Sequence, residues 1–328
     1  MSRLETTISG KRLDPFYGNA AADYTRVLWP GGDEIKDYEI FSRLVKQGLM
    51  GFTTTKTLTS DERKPKSEFA WTEEYWQGIQ SMKLPNVGIY NYPFEKCDVP
   101  TIVSYTSRSS EESKVMTRHI EEKANKNSNI FATEFNLTCP NDPSFPSCYK
   151  ESGIEFLKAV RESTKLPVFV KIGYFPEKDR LVDFGRKVED IGIDGITAIN
   201  SPPGMGIDAR TGTSVVSQYG GVFGKGLKPL ALRTVNILHE NTNLELIGVG
   251  GVYKYSDPIE FLFAGANAVE LSSTLLSKAY PKDNETYVEE GTIESCWKEL
   301  LNGFKKDTED FMETREKSAS EIVGQLKR

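Results

Sequence analysis

Several residues in this 328-residue chain have the type and spacing to do chemistry. Lys171 sits inside the apolar run Pro167-Val-Phe-Val-Lys-Ile172. A lysine in a strand that reads as buried needs an anionic partner or a lowered pKa, because a bare ammonium is not tolerated in an apolar interior. Two readings stand side by side: a structural ion pair with a nearby Asp or Glu, and a cation kept for an anionic ligand. Cys139 lies between two asparagines, Asn136 and Asn141, just after a strand-like run. Free cysteine is most often a small buried hydrophobe. Two amides beside it, which cost solvation unless paired, favour a chemical role. Gly248, Gly250 and Gly251 follow one apolar run, and Ser272 and Ser273 follow another. Glycine lets backbone N–H groups approach an anion and serine hydroxyls add donors, which suits a phosphate, although Gly-Gly is also an ordinary turn. A second glycine-rich stretch, Tyr219-Gly-Gly-Val-Phe-Gly224, carries Gly221 and Gly224. Lys56 and the pair Asn200 and Ser201 end two further apolar runs.

These residues need elements to hold them. Short apolar, β-branched runs recur with helical stretches between them, which is the mark of βαβ units and a parallel sheet. Eight strands are expected near Phe16–Ala21, Gly51–Lys56, Thr101–Tyr105, Phe131–Leu137, Pro167–Ile172, Gly195–Asn200, Glu245–Val249 and Ala268–Ser272. Asp33–Gln47 carries apolar residues at helical spacing, and Ile154–Val160, Leu181–Ile191, Leu230–His239 and Pro258–Ala264 read similarly. A long polar helix over Ile293–Thr314 closes the chain. The fold class is therefore α/β, a (β/α)₈ TIM barrel forming a single domain over residues 1–328, with chemistry at the C-terminal ends of the strands. An open doubly wound sheet is the alternative, but no GxGxxG or GxxxxGK[ST] follows the first strand. Two long connections, Ser60–Pro100 and Ser201–Pro229, read as binding loops or lids.

Composition narrows the function classes. A net charge of −6 argues against a nucleic-acid partner or an anionic membrane surface. No run approaches the roughly 18 apolar residues of a membrane helix. The polar segment Met1–Lys11 lacks the apolar core of a signal peptide, so a cytoplasmic protein is expected. Cys97, Cys139, Cys148 and Cys296 form no CxxC pair, so neither a zinc site nor a cysteine-held iron–sulfur cluster is expected, and no metal. His119 and His239 fall in polar helical stretches and read as solvated positions.

The ordered set of motifs resembles the class 1 dihydroorotate dehydrogenases, the soluble family with a cysteine base. Asn136-Leu-Thr-Cys-Pro-Asn141 is similar to that family's Asn-Leu-Ser-Cys-Pro-Asn segment. Thr54-Thr-Lys56-Thr resembles its lysine-bearing second strand, and Gln80-Ser-Met-Lys-Leu-Pro-Asn86 its Asn-Ser-Met-Gly-Leu-Pro-Asn loop. Val168-Phe-Val-Lys171, Asn200-Ser201, Leu227-Lys-Pro229 and Ile247-Gly-Val-Gly-Gly251 follow in family order. Departures from the pattern include Gln80 for asparagine, Lys83 for glycine, Phe223 for a glycine, and Ser272-Ser273 for Gly-Thr at the phosphate end.

The resemblance implies FMN at the C-terminal mouth of the barrel, held near Ala20, Ala21, Lys56, Thr57, Asn136, Lys171, Gly221, Gly224, Gly250, Gly251, Ser272 and Ser273. It implies catalytic roles for Cys139, Lys56 and Lys171. Cys139 would be the general base that takes a proton from (S)-dihydroorotate, the substrate would pass hydride to flavin N5, and Lys171 would sit beside the pyrimidine edge of the flavin. Lys56, Gln80, Met82, Lys83, Leu84, Asn136, Asn141, Asn200 and Ser201 would bind the substrate. Asparagine suits that task because it donates and accepts at once. The closest likeness is to the fumarate-type branch, which implies a homodimer in pyrimidine biosynthesis with fumarate as electron acceptor. The competing reading is a dehydrogenase or ene-reductase of the same family acting on another small, flat, anionic molecule, which the Gln80 and Lys83 changes favour. A tRNA-modifying dihydrouridine synthase, also an FMN barrel, would want a basic surface, and the negative charge opposes it.

Overall fold

The computed structural model describes residues 2–22, 24–28, 32–64, 69–72, 77–138, 145–216, 219–279 and 290–326. All eight expected strands form, and they pair in parallel in one sheet. They are β1 (Tyr17–Asn19), β2 (Thr53–Thr54), β3 (Thr101–Tyr105), β4 (Ile130–Asn136), β5 (Val168–Ile172), β6 (Gly195–Ala198), β7 (Glu245–Val249) and β8 (Ala268–Leu271). The sheet runs β1-β8-β7-β6-β5-β4-β3-β2. A parallel bridge between Gly18 and Phe52, with the Gly51 N–H donating to Tyr17 O at 2.9 Å, joins its two ends and closes the barrel.

Helices lie between the strands, near the expected stretches: Glu34–Lys46, Ser152–Arg161, Lys178–Asp190, Lys228–Asn241 and Ser256–Ala264. Their ends follow local chemistry. The Asp33 side chain accepts from the amides of Ile35 and Lys36 and starts one helix, and Gly265, at φ 112°, ends another. A helix that apolar spacing did not single out, Ser110–Ala124, is nearly half charged and presents a thin buried stripe that includes Met116, Ile120 and Ala124. The closing helix, Glu290–Thr314, is less polar in effect than in composition. Its Trp297 is fully buried, stacks on Phe41 with centroids 4.9 Å apart, and donates from Nε1 to Leu275 O at 2.8 Å. Among the described residues no helix is long and apolar enough to cross a membrane.

The two long connections hold more order than loops. Phe69–Thr72 and Gln77–Gln80 from the first pair antiparallel, and Gln77–Gln80 pairs in turn with Gly220–Gly224 from the second. Pro203–Gly204 completes this four-stranded sheet. Local sequence did not announce it, because its strands are short, rich in Gly and Gln, and come from segments more than a hundred residues apart. At the opposite end, a hairpin of Thr6–Ile8 and Lys11–Leu13 covers the barrel floor, with Ser9 donating from N and Oγ to the Glu245 carboxylate at 2.7–2.9 Å.

Inward-facing residues alternate along the strands, as barrel geometry requires. The layer nearest the hairpin is apolar: Ile8, Leu13, Phe52, Ile102, Phe131, Ala132, Phe169, Ile247 and Ala268 pack as one cluster. Two residues further along the same strands the interior turns polar, with Asn19, Thr54, Ser104, Glu134, Lys171, Thr197 and Glu270 all buried.

Candidate active site

Above the polar layer opens a cavity at the C-terminal ends of the strands. It brings together residues from seven of the eight strand ends and both inserted segments. Lys56 and Thr57 follow β2, Asn136 ends β4, Lys171 lies on β5, and Asn200 and Ser201 follow β6. Gly250 and Gly251 follow β7, Ser272 and Ser273 follow β8, and Ala20 and Ala21 follow β1. Gln80, Met82 and Leu84 come from the first inserted segment, and Phe223 and Gly224 from the second. Of the described residues expected at a site, Gly221 and Lys83 do not line the cavity. Cys139 and Asn141 lie outside the described residues. The cavity wall also includes apolar residues outside the quoted motifs, among them Val27, Ile199 and Leu276.

Both readings of Lys171 hold at once. Its Nζ lies 3.6 Å from Glu270 Oε2 with the lysine side chain 5% exposed, and it also lines the cavity. Burial opposes its charge, but Glu134 and Glu270 outweigh burial and hold the ammonium pKa above the ordinary lysine range. Lys171 is therefore a fixed cation. Thr54 Oγ1 donates to Glu270 Oε1 and Ser104 Oγ to Glu134 Oε1, each at 2.8 Å. The two glutamates were not expected at a site. The signal that found Lys171 also marked them: each is a charged residue inside an apolar strand, in Phe131-Ala-Thr-Glu-Phe135 and Ala268-Val-Glu-Leu271.

The two asparagines brace each other. Asn200 Nδ2 donates to Asn136 Oδ1 at 3.1 Å and to Thr138 O, and its Oδ1 accepts from the Ser201 amide at 2.8 Å. Both hydrogens of that Nδ2 are thus committed within the protein. Asn136 Nδ2 donates to Thr57 Oγ1 at 3.3 Å. The segment after β4 is clasped at its base: Thr138 bridges Ser147, Cys148 N donates to Leu137 O at 3.1 Å, and Thr138 Oγ1 lies 2.9 Å from Cys148 Sγ. Burial raises the Cys148 thiol pKa. Phe145, where the described chain resumes, lies beneath the guanidiniums of Arg63 and Arg108 at 5.2 and 5.3 Å.

The loop that carries Gln80 to Asn86 is pinned from below. Gln80 Oε1 accepts from Met82 N at 3.1 Å, Arg63 Nε donates to Lys83 O at 3.0 Å, and Asn86 Nδ2 donates to Leu84 O at 2.9 Å. Lys83 and Leu84 hold φ of 57° and 55°, in the left-handed region that costs a residue with a Cβ about 1–2 kcal/mol. The lysine has not released the glycine-type backbone of this loop; it occupies it.

At the far end of the cavity the chain fits a phosphate. Gly250 and Gly251 have φ of 115° and 74°, and a Cβ at Gly251 would lie 2.4 Å from the Lys228 amide nitrogen. Gly224, at φ 118°, also lines the cavity, and the hydroxyls of Ser272 and Ser273 add donors there. A fixed cation at one end and a glycine–serine cradle at the other fit a flat cofactor that carries a phosphate tail.

A closed parallel barrel with such a cavity at its C-terminal mouth defines a cofactor-dependent barrel enzyme. The chain belongs to the dihydroorotate dehydrogenase family: that family's model matches residues 24–283. Curated relatives agree. The "Dihydroorotate dehydrogenase B (NAD(+)), catalytic subunit" of Methanocaldococcus jannaschii is 29% identical over 72% of this chain and 79% of that protein. The proteins of the same name from Pyrococcus abyssi and Pyrococcus furiosus are 30% and 29% identical, over 74% and 87% of this chain and 81% and 89% of theirs. The chain is thus an oxidoreductase of that family.

Proposed function

We propose that the protein is an FMN-dependent dehydrogenase that oxidises (S)-dihydroorotate to orotate in pyrimidine biosynthesis. The observation that carries this reading is the convergence of Lys171, Lys56, Asn136 and the Gly250–Gly251 cradle on one cavity, in the order that the family motifs predict. Ala20, Ala21, Thr57, Gly224, Gly250, Gly251, Ser272 and Ser273 hold FMN, its phosphate on the glycine–serine side. FMN bound there supplies a two-electron acceptor. Lys171 presents a permanent positive charge to it, which favours the negative charge that reduction brings.

Substrate lies against the wall formed by Asn136, Asn200, Ser201, Gln80, Met82 and Leu84, with Lys56 supplying a cation for its carboxylate. Cys139, three residues beyond Asn136, takes the proton from the substrate carbon, and Asn141 completes the amide contacts. Because Asn200 spends its donors on Asn136 and Thr138, its share in recognition is to fix the Asn136 amide rather than to meet the substrate directly.

For the route by which electrons leave, the relatives' names favour NAD(+) reached through a second subunit over fumarate in a simple homodimer. We infer a cytoplasmic enzyme whose partner is that second subunit.

Anaerobic mixing with dihydroorotate tests the reading. The flavin absorbance should bleach in the wild type, and Cys139→Ala should keep its FMN yet lose the bleaching. Failure of the wild-type flavin to bleach with dihydroorotate would overturn the substrate assignment. Reoxidation by fumarate alone, without a second protein, would overturn the acceptor assignment.

A further inference from the structure

The polar layer beneath the cavity holds three buried ionisable side chains. Glu134 and Glu270 are fully buried and Lys171 nearly so. The remaining groups on the surrounding strands are neutral: Asn19 on β1, Thr54 on β2, Ser104 on β3 and Thr197 on β6, while β7 contributes Ile247 and Val249. Outside the barrel, Glu270 acts on Tyr24, whose hydroxyl is spent on the carbonyls of Ala20 and Leu271 and whose pKa burial and Glu270 both raise. Lys56 stands above, on the cavity wall.

If both carboxyls were ionised, the layer would carry one uncompensated negative charge in a medium of low dielectric, which costs several kcal/mol. Losing the lysine proton would make this worse, and Lys171 is held charged. Protonating both glutamates would strand the ammonium instead. Hydrogen bonding points the same way. Glu134 Oε2 and Glu270 Oε2 are both buried without a hydrogen-bond partner, Lys171 Nζ standing 3.6 Å from the latter, so each lacks a donor at hydrogen-bond distance. A carboxylic acid supplies one.

We propose that Glu134 and Glu270 hold one proton between them and so form, with the Lys171 ammonium, a charge-balanced cluster that sets the electrostatic environment of the cofactor site. The Glu270 pKa agrees: burial and the Glu134 charge raise it to about 7, against the opposing pull of Lys171. Below the titration of the pair the layer is neutral. Above it the layer gains a negative charge directly beneath the cavity, and adding electrons there becomes harder. Glu134 and Glu270 are positioning residues acting through Lys171, and their link to the flavin rests on the function proposed above.

Infrared spectra of the wild type, with and without FMN, test the shared proton without reference to turnover. A buried carboxylic-acid C=O band should be present at pH 6, where exposed carboxyls are ionised, and should disappear on titration to pH 9. Absence of the band at both pH values would overturn the proposal, whether or not any variant folds. In Glu134→Gln and in Glu270→Gln the remaining carboxyl faces Lys171 alone and should ionise, so both variants should lose the band. A band that survives in one variant would place a private proton on one glutamate and overturn the sharing. The flavin midpoint potential reads the second half. Wild type and variants should agree at pH 6. At pH 9 both variants should lie above wild type by a tenfold or greater change in the reduction equilibrium, about 30 mV for a two-electron couple. Parallel potentials across pH would sever the cluster from the flavin. A protein that shows the acid band but binds no FMN would refute the proposed function and leave the shared proton standing.

Discussion

The two layers of the barrel interior are built on the same strands, two residues apart, yet do opposite work. Phe52, Ile102, Ala132, Phe169 and Ala268 face inward near the hairpin floor and pack as hydrocarbon. Thr54, Ser104, Glu134, Lys171 and Glu270 face inward one step closer to the mouth and form a network of ions and hydroxyls. The lower layer stabilises by removing apolar surface from water and tolerates only small changes in volume. The upper layer gains little stability from its charges, since desolvation offsets their attraction. What it gains is a cation fixed at the edge of the cavity. In barrels the floor carries stability and the mouth carries chemistry, and here the boundary between them falls within a single strand.

Removing the cation should give the largest effect. Lys171→Met leaves two buried carboxyls without a counter-ion and should cost about 3–5 kcal/mol at pH 8, together with FMN binding. The sign with pH follows from the carboxyls. Lys171 holds the Glu270 pKa down against burial and Glu134, so without the lysine that pKa rises further; the variant's stability is then greatest at low pH and is lost as pH rises through it. Urea denaturation at pH 6 and pH 8 should show a smaller deficit at pH 6. An equal deficit at both would mean that Lys171 acts by packing, as in the lower layer.

At the mouth itself, Gly251→Ala adds a Cβ where the Lys228 amide nitrogen lies at 2.4 Å and φ is +74°. Tenfold or greater loss of FMN affinity is expected, corresponding to about 1.4 kcal/mol or more, measurable by flavin fluorescence on titration of the apoprotein. Unchanged affinity would remove this turn from the phosphate cradle.

In the lower layer, Ile102→Val should cost about 0.5–1.5 kcal/mol by denaturation, with no change in flavin potential or in its pH dependence. A shift in potential would show that the two layers are coupled, contrary to the division drawn between them.

The smallest effect is expected at Lys83. Its φ of 57° is a glycine conformation, and its side chain does not line the cavity. Lys83→Gly should therefore stabilise the protein, by up to about 1 kcal/mol after the entropy of the added glycine is counted, and leave the KM for dihydroorotate nearly unchanged. A large change in KM would show that the lysine reaches the substrate.

Much of this molecule was legible along the chain. Eight strands and most helices follow from periodicity, because whether a residue faces inward repeats every two positions in a strand and every 3.6 in a helix, and both repeats are local. The glycines at 250 and 251 and the buried lysine at 171 were legible for the same reason: each breaks a local pattern. The tertiary structure alone decided what depends on distant segments meeting. The inserted sheet pairs Gln77–Gln80 with Gly220–Gly224, and no window of sequence contains both. Glu134, Lys171 and Glu270 each look anomalous alone, but only closure of the barrel turns three isolated charges into one cluster that must balance. Charge balance in a buried site is a property of everything within a few ångströms, and sequence order does not record that neighbourhood.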